Sequence, residues 1–150
     1  KAYVDENKEK IKVYKRHHQR KRAATLKGKL NARMSAGIRV SLKEGKQGAH
    51  WEDLTGYNIT SLIKHLKKKL PNGVTWKCFK NHTGDFHLDH IIPKNVFNYQ
   101  TPDYIDFKKC WALTNLQILP AKENRKKWCK IDKPFQPSLA FGAYSDKSRT

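Results

Sequence analysis

Carboxylates are few in this chain: 13 Asp and Glu stand against 32 Lys and Arg, leaving a formal charge of +19 over 150 residues. An excess of that size goes beyond what solubility needs and favours a polyanionic partner, nucleic acid first, over a basic surface that is merely solvated. Long apolar runs are missing as well. No stretch approaches the ~20 residues that span a bilayer, and no signal-peptide pattern opens the chain, so no membrane partner is expected. Cysteine is scarce and unpaired in pattern: Cys78, Cys110 and Cys129 are odd in number and widely spaced. That spacing encodes neither a disulfide framework nor a four-thiolate zinc site and suits a reducing cytoplasm, with the three thiols as small core residues. What is present is aromatic. Four Trp, six Tyr and six Phe within a 37% apolar composition can build a modest core for one domain, or for a compact domain with an extension.

The chain opens with a polar stretch, Val4 to Arg22, whose acids come early (Asp5, Glu6, Glu9) and whose bases come late (Lys15, Arg16, Arg20, Lys21, Arg22). That order suits a helix dipole, but the apolar residues are too sparse to bury much. Because Lys1 already falls in helical pattern, residues before it are expected to be missing. From Ala23 to Leu42, Leu26, Leu30, Met34, Ile38 and Leu42 recur every fourth residue, which predicts a second helix with a narrow apolar stripe. Gly28 and Gly37 weaken it and mark where it would break. After a Gly45–Gly48 loop, Asn58 is a good N-cap for a third helix carrying Ile59, Leu62, Ile63, Leu66 and Leu70 inward, and Pro71-Asn72-Gly73 ends it. Trp76 and Phe79 follow as core anchors. His65 and His82 read as surface residues.

From Asp85 to Ile92, Phe86 and Leu88 alternate with His87 and Asp89, the pattern of a half-buried strand that sends two polar groups to one face. A loop with a short helix (Tyr104 to Lys109), a second strand (Leu116 to Leu119) and a helix begun by Pro120 and running to Lys130 complete the pattern. Beyond it, Pro134 and Pro137 keep the chain extended.

This second half holds the groups that phosphodiester hydrolysis needs: a base for water, and positive charge for the phosphate oxygens. His90 is the candidate base, since neutral imidazole takes a proton near neutral pH. Asp89 is a hard oxygen ligand for a divalent cation and Asn124 a second, neutral one, which leaves the open, hydrated shell that Mg²⁺ tolerates and Mn²⁺ can share. Asn115 can bridge backbone groups of the loop that holds His90. Arg125, Lys126 and Lys127 can meet phosphates, as can the arm residues Lys15, Arg16, Arg20, Lys21 and Arg22. His87 shares a face with Asp89, where it can touch the metal or phosphate, or serve as a supporting hydrogen-bond partner. With an unperturbed pKa of ~6.5, His90 should give cleavage an acid limb between about pH 6 and 7.

An Asp89-His90 pair before Ile91-Ile92-Pro93, a central Asn115 and a helical Asn124 together resemble the HNH (ββα-metal) endonuclease family over about residues 76 to 130. The run Trp111 to Gln117 is most like small phage-encoded HNH endonucleases. The resemblance implies an α+β fold: a ββα-metal core over 71–133, a basic, mainly helical extension over 1–70 and an extended tail over 134–150. His90 matches the family's first His, Asp89 the acidic ligand before it, Asn115 the middle Asn, and Asn124 the position of the last His. The chain departs from the histidine-rich branch typified by the DNase colicins, because Pro120 stands four residues before Asn124; that makes Zn²⁺ less fitting than Mg²⁺. It also lacks the Cys pairs that brace many relatives. The implied activity is cutting or nicking of double-stranded DNA with a divalent cation and no small-molecule cofactor, in a bacterial host cell with a phage or mobile-element origin. A DNA-binding or packaging module without catalysis, and an RNA-binding helical protein, are the competing readings.

Overall fold

The computed structural model describes residues 7–131, so the start of the basic arm and the expected tail lie outside the described residues. It is an α+β structure, mostly helical, with one two-stranded antiparallel sheet. Helix α1 (Lys8–Ala24) buries none of its residues. Helix α2 (Leu26–Ser41) buries Leu30, Met34 and Ile38, the apolar stripe of the sequence. Each such side chain contributes about 1.5–3 kcal/mol of hydrophobic stabilisation.

The two helices are separated at Thr25, whose hydroxyl donates to the Arg22 carbonyl and accepts from Gly28 N–H, at 2.7 and 3.0 Å. Neither glycine breaks α2. Each instead permits a close approach: a Cβ on Gly28 would lie 2.1 Å from the Arg22 carbonyl oxygen, and one on Gly37 would lie 2.8 Å from the Trp111 ring.

A one-turn helix α3 (Trp51–Thr55), which the sequence pattern did not disclose, buries Trp51, and the indole donates to Asn31 Oδ1 at 2.6 Å. Helix α4 (Ile59–Lys68) starts where Asn58 accepts from Ser61 N–H, and it buries Ile59, Leu62 and Leu66. Phe79 on α5 (Trp76–Asn81) is fully buried, while Trp76 is only partly so.

Strand β1 (Phe86–His90), a short helix α6 (Ile105–Cys110), strand β2 (Leu116–Pro120) and helix α7 (Ala121–Lys127) follow. The strands pair with Phe86 opposite Pro120, Asp89 opposite Gln117 and His90 opposite Leu116. Helix α7 stops at Lys127, short of the expected Lys130, because Trp128 takes a left-handed backbone with φ of 47°.

One core joins all of this: Leu30, Met34 and Ile38 of α2 and Leu62 and Leu66 of α4 cluster with Phe86, Leu116 and Ile118 of the sheet. An extension ending at residue 70 would therefore cut a single core, to which α1 and α7 contribute no buried residue. Arg33 clamps α2 to the start of β1, donating to the carbonyls of Thr83 and Phe86 at 2.7 and 3.1 Å. Of the thiols only Cys110 is a core residue; Cys78 and Cys129 are exposed, against expectation. Burial pushes the Cys110 thiol up to about 11, so it stays protonated. His65 is also less peripheral than its sequence context implies, since its Nε2 lies 3.0 Å from the Leu116 carbonyl. Among the described residues no helix is long and apolar enough to cross a membrane.

Candidate functional site

Strand alternation sends Phe86, Leu88 and His90 to one side of β1 and His87 and Asp89 to the other. Helix α7 lies over the second side. Asn124 Nδ2 is 2.8 Å from His87 Nδ1, and Lys127, one turn further on, places its ammonium 2.8 Å from Asp89 Oδ2 and on the carbonyl of His90. Gln117, opposite Asp89 in the strand register, donates to the same carboxylate oxygen at 2.8 Å. Asp89 and Lys127 are each only 12% exposed at the side chain. His87, Asp89 and Asn124 thus meet on one face, with two donors already fixed on Asp89.

His90 faces the other way, into the core. It is 8% exposed, its ring stands edge-on to Trp111 with centroids 4.6 Å apart, and its Nε2 is buried with no hydrogen-bond partner. Burial is the main reason its pKa falls to about 3. The Lys94 ammonium adds to the fall, Asp89 opposes it, and Lys127 adds a smaller push. The imidazole is therefore neutral over the whole physiological range, and the expected titration between pH 6 and 7 does not fit its buried setting. A buried polar nitrogen left unpaired costs about 1–3 kcal/mol.

The loop behind His90 is held by Asn115. Its backbone carbonyl accepts from Ile91 N–H at 2.8 Å, its Oδ1 accepts from Ile92 N–H at 2.8 Å, and its Nδ2 donates to the carbonyls of Ile92 and Cys110 at 3.2 and 2.9 Å. One buried amide therefore ties the end of β1 to the turn that opens β2. Trp111 completes the support: Tyr57 Oη donates to its carbonyl at 2.6 Å, and its indole N–H donates to Tyr99 Oη at 3.2 Å.

The basic residues divide. Lys15, Arg16, Arg20, Lys21 and Arg22 are all exposed on α1, and Arg125 and Lys126 are exposed on α7. Lys127, expected to meet phosphate beside them, turns inward instead, because Asp89 lies beneath its position on the helix. Glu123 is exposed, away from Asp89.

Three residues of this neighbourhood were given no role in the site from the sequence, although Trp111 and Gln117 bound the run that carries the resemblance. Gln117 could have been found by pairing the two strands in register. Trp111 and Lys94 carry no such signal, since their approach to His90 is set by the long connection between the strands; Lys94 also sits over the Trp111 ring, 5.8 Å from its centroid.

Among the described residues no three His, Cys, Asp or Glu side chains cluster as a cation site. The donor set is mixed: the Asp89 carboxylate, the amide oxygen of Asn124 and the His87 imidazole. It does fit a hard cation, because the carboxylate already holds an ammonium and Asn124, with its N–H directed at His87, keeps its oxygen as an acceptor. No protein-family model, curated protein or solved structure matches the chain.

Proposed function

We propose that the protein is a divalent-metal-dependent endonuclease of the HNH type, with a ββα-metal core formed by β1, β2 and α7, that hydrolyses or nicks double-stranded DNA. The observation that carries this reading is the meeting of His87, Asp89 and Asn124 on one face, with a neutral imidazole at the next residue of the same strand. Asp89 and Asn124 would hold the ion, Mg²⁺ before Mn²⁺ and with Zn²⁺ less suited. When bound, it would supply positive charge to the phosphate oxygens.

In this reading His90 is the base. Its neutrality means that it can accept a proton without first losing one. But its Nε2 is buried on the side of β1 away from Asp89, so the role requires the ring to turn toward the face of the ion when DNA binds. Asn115 acts through His90 by fixing the backbone on which the imidazole is mounted. Arg125 and Lys126 on α7, with Lys15, Arg16, Arg20, Lys21 and Arg22 on α1, would contact phosphates, which position a duplex without reading its bases. The composition adds support, since a charge of +19 favours a polyanion. A bacterial cytoplasm and a phage or mobile-element origin belong to the same proposal.

The test is relaxation of supercoiled plasmid by the full chain in Mg²⁺ and in EDTA. Nicked or linear product in Mg²⁺ alone, lost in Asp89→Ala, is expected. Duplex binding with no cleavage in either Mg²⁺ or Mn²⁺ would replace the nuclease by a DNA-binding module.

A further inference from the structure

Lys127 is where the structure departs most from what its sequence context implies. It lies three residues after Asn124, so α7 presents a neutral oxygen donor and a cation on one side, above His87 and Asp89. The residues between them, Arg125 and Lys126, are exposed. The Lys127 ammonium is bound twice, to Asp89 Oδ2 at 2.8 Å and to the His90 carbonyl, and both members of the ion pair are 12% exposed. An ammonium and a carboxylate this far from water are each costly alone, so removing either leaves the other uncompensated.

We propose that Lys127 is the resident counter-cation of Asp89: its ammonium holds the place of a divalent cation in the metal-free protein and is displaced when that cation binds. The inference rests on the nuclease reading above. A divalent ion on Asp89 brings a second positive centre to a carboxylate that already carries one on Oδ2, and the two repel at such range. The lysine is the partner able to leave, because its four-carbon stem is flexible and its ammonium is readily hydrated. Outside the site it joins Arg125 and Lys126, where a phosphate oxygen is its natural partner. Cation binding and phosphate binding then favour one another, since each draws on the same displaced side chain.

Titrating Mn²⁺ into the full chain by calorimetry tests this with Lys127→Met and, as an equal loss of charge from an exposed position on the same helix, Lys122→Met. Lys127→Met should bind Mn²⁺ about tenfold more tightly than the unaltered chain, or better, because the ion no longer competes with a charged hydrogen bond. Lys122→Met should change the affinity by no more than about threefold, as screened surface charge does. Equal effects in the two variants, or weaker binding in Lys127→Met, would overturn the proposal. Should Lys127→Met fail to fold, nitrogen-15 spectra of the lysine ammonium groups in the unaltered chain give the answer. The exchange-protected ammonium signal of Lys127 should be present without metal and lost at saturating Mg²⁺, while that of Lys29, hydrogen-bonded to Thr83, stays; persistence of both would overturn the displacement. A chain that nicks plasmid in Mg²⁺ yet shows either contrary result retains the nuclease reading and loses only this one. A chain with neither Mn²⁺ binding nor nicking loses both.

Discussion

Helix α1 carries eight Lys and Arg over Lys8–Ala24 and buries nothing, whereas α7 carries four over Ala121–Lys127 and turns one of them inward onto a carboxylate. The two helices have similar chemistry and different surroundings. On α1 no residue is buried beneath the charges, so all of them stay in water, where a polyanion is the partner that adds most. On α7 the strand below supplies Asp89, and the residue that lies above it becomes part of the site. What a basic residue does here is set by what lies under its position, and that is a tertiary property. On the nuclease proposal, affinity belongs to the arm and chemistry to the sheet and α7, and each half can be broken separately.

The largest effect is expected from His90→Ala. Loss of a general base typically lowers the rate by ~10² to 10⁴-fold, so single-turnover cleavage should nearly vanish while duplex affinity and Mn²⁺ binding persist. A His90→Ala protein that no longer takes up Mn²⁺ in calorimetry would make His90 a ligand instead. Next comes Trp111→Ala. The ring packs on His90 and against Gly37, so its removal should cost about 3–5 kcal/mol in urea denaturation. A loss below 1 kcal/mol would mean that the site is not braced from behind as described.

Acid should weaken the metal-free fold through the same imidazole. The folded His90 has a pKa near 3, against 6.5 when unfolded. Between those values the unfolded chain binds a proton that the folded one refuses, so stability rises with pH. His90 burial thus exerts no pH-dependent penalty above about pH 6.5, and the fold loses up to ~1.4 kcal/mol per pH unit as pH falls toward 3. Urea midpoints from pH 7.5 to 4.5 should show this slope in the unaltered chain and a shallower one in His90→Leu; parallel slopes would remove His90 as its source. The smallest effect on stability is expected from deleting residues 1–24. The melting temperature should barely move, because α1 buries no residue. The dependence of log K on log salt for duplex binding should flatten by about 0.9 for each phosphate contact removed, and an unchanged slope would mean that the arm does not touch DNA.

Much of this was legible in the residues alone. The fourth-residue recurrence of Leu26, Leu30, Met34 and Ile38 marks α2 because a core-facing helix needs that period, and the alternation around His87 and Asp89 puts both on one face for the same kind of reason. Asn58 starts α4 by capping, a strictly local interaction. What escaped depends on distant parts of the chain. Gly28 and Gly37 look like helix breakers until the Arg22 carbonyl and the Trp111 ring are seen against them. His90 looks like an ordinary histidine until burial and Lys94 lower its pKa. A division at residue 70 follows from the resemblance, yet α2 and α4 pack on the sheet and make one core. Lys127 could not be told from Lys126 without knowing which strand residue lies beneath each.

The separation of arm from site is tested most directly by single-turnover cleavage as a function of protein concentration, with the full chain and with one lacking residues 1–24, in Mg²⁺ on the same duplex. The predicted result is a higher half-saturating concentration for the shortened chain and an unchanged limiting rate. A limiting rate that falls with the arm removed, at proven saturation of the duplex and with the fold intact, would contradict it by showing that α1 takes part in the chemistry as well as in the binding.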